Sequence, residues 1–299
     1  MYKYKIFGLN VSSDFEMKCY QSDFDDFDVI VINSGNYVEE EIQNELINMT
    51  QDRFWFHIKD AGVFEVLNGN EIIVTPYKYI DYKTLELFIL GTGLGVIMIQ
   101  NNTFPLHGAF VEYKGIGFGI VGESGAGKTS LATGITLESG KIITDDVMRV
   151  TYNNGLPFVN PSYPSQKIWS STAKALNIDI TSSKPIMSRS EKYFIENELI
   201  FLSKSIQLQY IFEVVESDIE SVQIVSMNEV EKLDLLLRNS YRYFVIGLSN
   251  KLKEHFKDMM RLSNNIEAYI IRRPRNRFTV DDQIRAIEEI VGVRNEEIS

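Results

Sequence analysis

The sequence predicts an α/β protein in two parts, and three observations carry that reading. The first eighty or so residues break into short alternating strands between turns. Residues 116–137 pass from an apolar strand through a glycine-rich loop into a segment with one apolar face. Beyond residue 150, strand-like and helix-like stretches alternate without a repeat period or a low-complexity linker.

In order along the chain, "YKYKIFGL" alternates apolar or aromatic residues with lysine, "FDVIVI" is a β-branched run, and "RFWFHI", "VFEVL" and "EIIVTP" follow, punctuated by "SGN", "DAG" and "NGN". These predict a small β-rich module over 1–82, with the polar stretch "NYVEEEIQNELINMTQD" as loop or short helix. His57, inside "RFWFHI" and without a partner at metal-ligand spacing, reads as a half-buried strand residue. From Thr84 the period changes, and Leu85, Phe88, Ile89 and Val96 predict a helix that ends near "GTGLG" or runs through it. Those glycines have the wrong spacing and setting for a dinucleotide loop. The second part, 83–299, is expected to be one α/β nucleotide-binding domain. Its later pieces read as a hairpin turning at Asn154 and Gly155, a short helix in "QKIWSSTAKALNI", strands in "SIQLQYIFEVVE" and "SVQIVSM", helices in "NEVEKLDLLLRNSYRYFV" and "LSNKLKEHFKDMMRLSN", a strand in "IEAYIIRRP" and a last helix in "TVDDQIRAIEEIV".

Bulk properties narrow the partners. A chain of 299 residues, 44% apolar, can fill a sizeable core, while a net charge of -11 opposes general binding to nucleic acid or to an anionic membrane. Any phosphate must be bound locally. The most apolar window, 85–99, falls short of the roughly 18–20 residues a spanning helix needs, so no membrane crossing is expected. Cys19 is the single cysteine and no apolar signal region opens the chain, which points to a reducing cytoplasm.

The glycine-rich loop is the strongest signal. Gly122, Glu123, Ser124, Gly125, Ala126, Gly127, Lys128 and Thr129 fit G-x-x-x-x-G-K-[ST], a pattern expected by chance in about one chain in a hundred of this length. Its glycines let successive backbone N–H groups, those of Ser124, Gly125 and Ala126 through Ser130, turn inward around a polyphosphate. Lys128 would reach the β and γ phosphates and the Thr129 hydroxyl would ligate Mg²⁺. The strand "IGFGIV" before the loop, the shared face of Leu131 and Ile135 after it, and the stop at Gly140 supply the context such a site needs.

Two neighbours extend it. A two-residue hairpin turn at Lys114 and Gly115 pairs Tyr113 with Ile116, Val111 with Phe118 and Ala109 with Ile120, which continues to His107 opposite Gly122. The helix after the loop is expected to return the chain by a right-handed crossover to a parallel strand, "KIIT", whose carboxyl end carries Asp145 and Asp146 at the same edge of the sheet. One carboxylate can hold Mg²⁺ or its water while the other accepts the proton of an attacking hydroxyl. An ATPase, with one aspartate as a cap and the other as a metal-water ligand, stays open.

His107, the loop with Lys128 and Thr129, and Asp145 with Asp146, spaced 21 and 18 residues apart, resemble the catalytic domain of the bacterial HPr kinase/phosphorylase family, whose core is related to phosphoenolpyruvate carboxykinase. The likeness is specific over about 45 residues. More loosely, with "PSYPSQKIW" and the N-terminal β module, the whole chain is similar to shorter members of that group, some of them peptide serine kinases of peptide-modifying gene clusters. The resemblance implies ATP and Mg²⁺ as cofactors, a peptide or small protein with an acceptor serine as partner, Asp146 as general base, Asp145 with Thr129 at the metal, and His107 and Asp145 holding that base in its charge state. Ser130 stands where the family's loop carries a glutamate, and no counterpart of its glycine- and arginine-rich segment or second metal-binding glutamate follows.

Transition-state charge needs a further cation. Arg189 and Lys192 in "MSRSEKYF" are candidates, as is a polar surface loop without a role. The cluster Arg272, Arg273, Arg275 and Arg277 is either a solvated strand end, or a dock for an acidic peptide or a phosphate sensor. His255, in a charged helix, is expected to be exposed. Two other functions remain open from sequence: a kinase of a small hydroxylated metabolite, and a nucleotide-gated binding module with slow hydrolysis. The oligomeric state is also open, a homo-oligomer included.

Overall fold

The alternating N-terminal pattern builds one seven-stranded sheet in the computed structural model, which describes residues 1–38, 47–50, 52–181, 183, 185, 191–195 and 198–292. Its strands are β1 (Tyr2–Ile6), β2 (Leu9–Ser13), β3 (Val29–Asn33), β4 (Ile47–Met49), β5 (Arg53–Ile58), β6 (Gly62–Leu67) and β7 (Glu71–Pro76), in the order β1-β2-β3-β7-β6-β5-β4. Every second residue of β6 and β7 is buried, as a sheet with one covered face requires. Residues 39–46 and 51 of the polar stretch predicted as loop or helix lie outside the described residues, and 47–49 forms β4.

Covering that face is a helical run, α1 (Tyr82–Phe88), a π-helical turn (Ile89–Gly93) and α2 (Leu94–Gln100). Asp81 caps it, its carboxylate accepting from the Lys83 N–H. The run continues through "GTGLG" for 19 residues, which by length and composition alone suffices to cross a membrane, so the expectation that no segment qualifies is not met. In the fold its apolar residues are mostly buried: Leu94, Val96, Ile97, Met98 and Ile99 share one core with Phe54, Phe64 and Ile72 of the sheet. The glycines allow close packing, since a Cβ on Gly95 would stand 2.7 Å from the Tyr241 ring.

The chain then forms β8 (Leu106–His107), β9 (Ala109–Tyr113), β10 (Ile116–Val121), α3 (Lys128–Leu137), β11 (Lys141–Thr144), β12 (Val147–Met148), β13 (Val150–Asn153), β14 (Leu156–Val159), β15 (Gln166–Trp169), α4 (Ser170–Ala175), β16 (Lys192–Ile195), a 3₁₀ turn (Glu198–Ile200), β17 (Ile206–Gln207), β18 (Tyr210–Ser217), β19 (Gln223–Ser226), α5 (Glu229–Arg238), α6 (Tyr243–Leu248), α7 (Leu252–Ser263), β20 (Glu267–Pro274) and α8 (Val280–Val291). A six-stranded sheet, β11-β9-β10-β18-β20-β19, carries the loop. Leu131 and Ile135 of α3 and Ile284 and Ile287 of α8 pack with Val111, Phe118 and Phe212 on one face. Phe110, Val121 and Ile211 on the other join the core of α2, α5 and α7. Truncating fully buried Phe212 to alanine is worth about 3–5 kcal/mol.

The hairpin turns at Lys114 and Gly115, both at positive φ, with the expected register down to Ala109 opposite Ile120. "KIIT" runs in the same sense as β10, since both are antiparallel to β9, but β9 lies between them, so α3 spans one strand before the chain re-enters the sheet. Three local expectations differ. "QKIW" is strand β15, paired with β16, and only 170–175 is helical. "NEVEKLDLLLRNSYRYFV" is two helices, broken where Arg242 takes a left-handed backbone at φ 52°. His255 is buried, not exposed: its Nε2 lies 2.7 Å from Ser240 Oγ and its ring meets Phe104 edge-on, because α7 turns that face inward.

Candidate active site

Loop backbone conformation comes first. Gly122, Gly125 and Gly127 have φ of 137°, 87° and 107°, a region L side chains rarely enter, and a Cβ on Gly122 would stand 2.6 Å from the Val214 carbonyl oxygen. The loop therefore wraps a cavity of about 380 Å³ at the N-terminus of α3, where unpaired N–H groups favour an anion. Ser124, Gly125, Gly127, Lys128, Thr129 and Ser130 line it. Lys128 folds onto its own loop, its ammonium donating to the carbonyl oxygens of Gly122 at 2.7 Å and Glu123 at 3.0 Å. Burial lowers its pKa, opposed by the charge of Asp146. The Ser130 hydroxyl is joined to that of Thr172 at 2.9 Å, tying α3 to α4.

The sheet edge delivers the carboxylates to this cavity, which Asp145, Asp146 and His107 also line. The histidine arrives by a different register from the one expected. After Gly108, where a Cβ would strike the Ile120 carbonyl oxygen at 2.5 Å, the chain leaves the β9–β10 ladder, and His107 pairs with Val147 in the short β8–β12 ladder instead of with Gly122. Its Nδ1 stands 3.5 Å from Asp146 Oδ1 and 3.2 Å from the Asp146 carbonyl oxygen. Burial lowers its pKa, against the pull of Asp146.

The two aspartates are differentiated by what surrounds them. Asp145 is pushed up to about 6, chiefly by burial and only partly offset by the Lys167 backbone N–H, which donates to its Oδ2 at 2.9 Å. Its Oδ1 is buried and has no hydrogen-bond partner among the described residues. For Asp146 burial acts upward too, but the Lys167 ammonium, 2.8 Å from Oδ2, holds the carboxyl below its ordinary range. Asp146 is thus the more acidic member of the pair, held ionised and able to take a proton from a hydroxyl, while Asp145 keeps its proton to higher pH.

Lys167 carries no signal in the sequence motifs, yet it is the direct partner of the candidate base. Strand alternation could have found it. In "QKIW" Gln166 and Ile168 point into the protein, which turns Lys167 and Trp169 to the cavity. Lys192 stands opposite Trp169 in β16, its ammonium 4.6 Å from the indole ring centre, and lines the same cavity. Arg189 lies outside the described residues. The basic cluster divides. Arg273 lines the cavity, donates from Nε to the Ala126 carbonyl oxygen at 2.7 Å and pairs with Glu216, while Arg272, Arg275 and Arg277 are exposed. Half-exposed Phe278 and partly exposed Trp169 at the cavity lining offer flat apolar faces to a base.

A divalent cation fits the residues present. The orphaned Asp145 oxygen and the Thr129 hydroxyl line one cavity and are hard oxygen donors. Among the described residues no group of three or more His, Cys, Asp or Glu could hold a metal by itself, so the nucleotide phosphates would complete the shell. Glu213 is no candidate ligand. It sits beside Val121 in register, but Arg238 grips both its carboxylate oxygens.

A second cavity, of about 640 Å³, meets the first at His107, Ser124 and Asp146. Its other walls come from Gly122 and Glu123 of the loop and from the break between α5 and α6: Arg238, Asn239, Ser240, Tyr241, Arg242 and Phe244. Asp146 therefore lines both spaces.

No protein-family model and no curated protein matches the chain. Among solved structures, the HPr(Ser) kinase/phosphatase from Coxiella burnetii aligns over 63% of this chain and 94% of its own, at 12% identity and a TM-score of 0.32, a likeness too slight to carry an argument.

Proposed function

We propose that this chain is an ATP- and Mg²⁺-dependent kinase that transfers the γ-phosphoryl group to a serine hydroxyl of a peptide or small protein. The observation that carries the reading is the position of Asp146, whose carboxylate lies where a phosphate-loop cavity and a second, open cavity meet. Phosphoryl transfer asks for positioning and charge neutralisation, and the residues divide those tasks. The loop backbone, Lys128 and Arg273 hold the phosphates from one side. Thr129 and Asp145 would hold the metal, which neutralises charge on the β and γ phosphates when bound. Asp146, kept ionised by Lys167, takes the proton of the attacking hydroxyl. The serine oxygen forms its bond to the γ phosphorus as the bond to the β–γ bridging oxygen breaks, and ADP leaves with that electron pair. Lys192 stands on the cavity wall as a further cation.

The test is incubation of the protein with Mg-ATP and serine-containing peptides, including those encoded beside its gene, with mass spectrometry for a phosphate-sized gain. Asp146→Asn should lose transfer by about 10²–10⁴ while nucleotide binding survives. Absence of transfer to any peptide or small protein overturns the reading.

A further inference from the structure

The second cavity carries its own chemical signature, and on the kinase reading it is where the acceptor enters. It bears two guanidinium groups in unequal states. Arg238 is neutralised twice, by Glu213 and by Asp234, the latter at 3.0 Å. Arg242 forms no ion pair among the described residues. Its Nη2 donates to the Thr92 hydroxyl at 2.8 Å and its guanidinium carbon lies 5.4 Å from the centre of the Tyr241 ring. In a chain of net charge -11, and beside the carboxylates of Glu123 and Asp146 in the same lining, a cation with no ion pair among the described residues is a point on the rim where an anion can bind. The backbone holding it is also unusual. Arg242 sits at φ 52° and ψ 44°, which costs a non-glycine residue about 1–2 kcal/mol. α5 ends at Arg238 with Asn239 as its cap and α6 starts after Arg242, and the interruption between them supplies the cavity's Asn239 and Ser240 wall.

We propose that this cavity is the acceptor cleft and that Arg242 selects a serine with an acidic residue close to it in sequence. Asn239 and Ser240 are buried and bonded within the protein, so they shape the wall, while Asp146 meets the serine hydroxyl and Arg242 meets a side-chain carboxylate beside it. Arg242 and Phe244 on the rim are exposed, so the cleft opens outward, as an extended chain requires and a small metabolite does not. On the same face of α6, exposed Leu248 follows Phe244 at i+4 and continues an apolar ledge away from the rim.

The experiment uses an array of synthetic peptides with one central serine, in which each flanking position is in turn Asp, Ala or Lys. Phosphate incorporation from Mg-ATP and equilibrium binding in Mg-ADP are measured on the wild type, Arg242→Asn and Arg242→Glu. Asparagine tolerates the left-handed backbone, so this variant removes the charge and keeps the turn. The wild type should favour Asp over Ala by about tenfold, the value of one charge-assisted contact. The preference should vanish in Arg242→Asn and turn towards Lys in Arg242→Glu. Incorporation that ignores flanking charge in the wild type, or a preference that persists in Arg242→Asn, overturns the inference and leaves the kinase reading standing. Charge-selective, Arg242-dependent binding without any incorporation supports the cleft and overturns the kinase reading. An acidic Ser-Asp dipeptide that competes as strongly as the full peptide overturns the extended acceptor.

Discussion

Lys167→Met, combined with Asp146→Asn in a double-mutant cycle, isolates the contact that holds the candidate base ionised. The ammonium and carboxylate lie 2.8 Å apart with side chains 21% and 30% exposed. At an effective dielectric near 20, two unit charges at that separation attract by roughly 6 kcal/mol. Desolvation and side-chain ordering oppose most of this, leaving a net coupling of about 2 kcal/mol for a pair that keeps some water. Methionine preserves the apolar stem, and the Lys167 backbone N–H still donates to Asp145 at 2.9 Å, so the perturbation is confined to the ammonium. Lys167→Met alone strands Asp146 beside a second carboxylate and should cost about 2–3 kcal/mol in urea unfolding at pH 7.5. Asp146→Asn alone should cost about 1–2 kcal/mol, and the double variant about 2 kcal/mol less than the sum. Four unfolding curves with a common m-value give the number. Additivity within about 0.5 kcal/mol refutes the argument that Lys167 sets the charge of Asp146.

Three further outcomes follow from the same geometry. Gly122→Ala places a Cβ 2.6 Å from the Val214 carbonyl oxygen at a φ of 137°, so calorimetry should show a loss of about 2–4 kcal/mol together with weaker nucleotide binding. Arg273→Ala removes the hydrogen bond to the Ala126 carbonyl oxygen and should weaken ATP binding by about tenfold in titration calorimetry, with an Arg273→Lys variant recovering little because a point charge cannot reproduce the fork. Asp258, pushed from its ordinary 3.8 up to about 6 by burial and only partly relieved by Arg261, binds its proton more tightly in the folded state. Stability should therefore fall as pH rises from about 4 to about 6 and carry a constant penalty above that, at most about 3 kcal/mol. Asp258→Asn removes the titration, and its melting profile across that window should flatten relative to the wild type.

The loop was legible in the sequence because its chemistry is local. Positive φ at Gly125 and Gly127, an ammonium one residue later and a hydroxyl after that must follow one another along the chain, so spacing alone reveals them. The Lys114 and Gly115 turn was legible for the same reason, since a two-residue hairpin fixes the pairing of the strands on either side of it. His107 shows where that reasoning stops. Register predicted a partner in the loop, but the β9–β10 ladder ends at Ala109 and Ile120, and His107 pairs with Val147 of β12, a strand that local register does not include. His255 fails likewise, because the face that α7 buries depends on Ser240 and Phe104, which lie on other elements.

What the sequence determined by itself is a glycine-rich loop with the G-x-x-x-x-G-K-[ST] spacing, two aspartates at the end of "KIIT" and a net charge of -11. Only the tertiary structure decided how those aspartates differ. Burial and the Lys167 ammonium raise one and lower the other, and Lys167 comes from a strand 21 residues away whose motif carries no chemical signature. It also decided that Asp146 looks into two spaces, because the second is walled by a break between helices that local periodicity reads as one. Charge balance and cavity shape are sums over residues distant in the chain, and no window of sequence contains them.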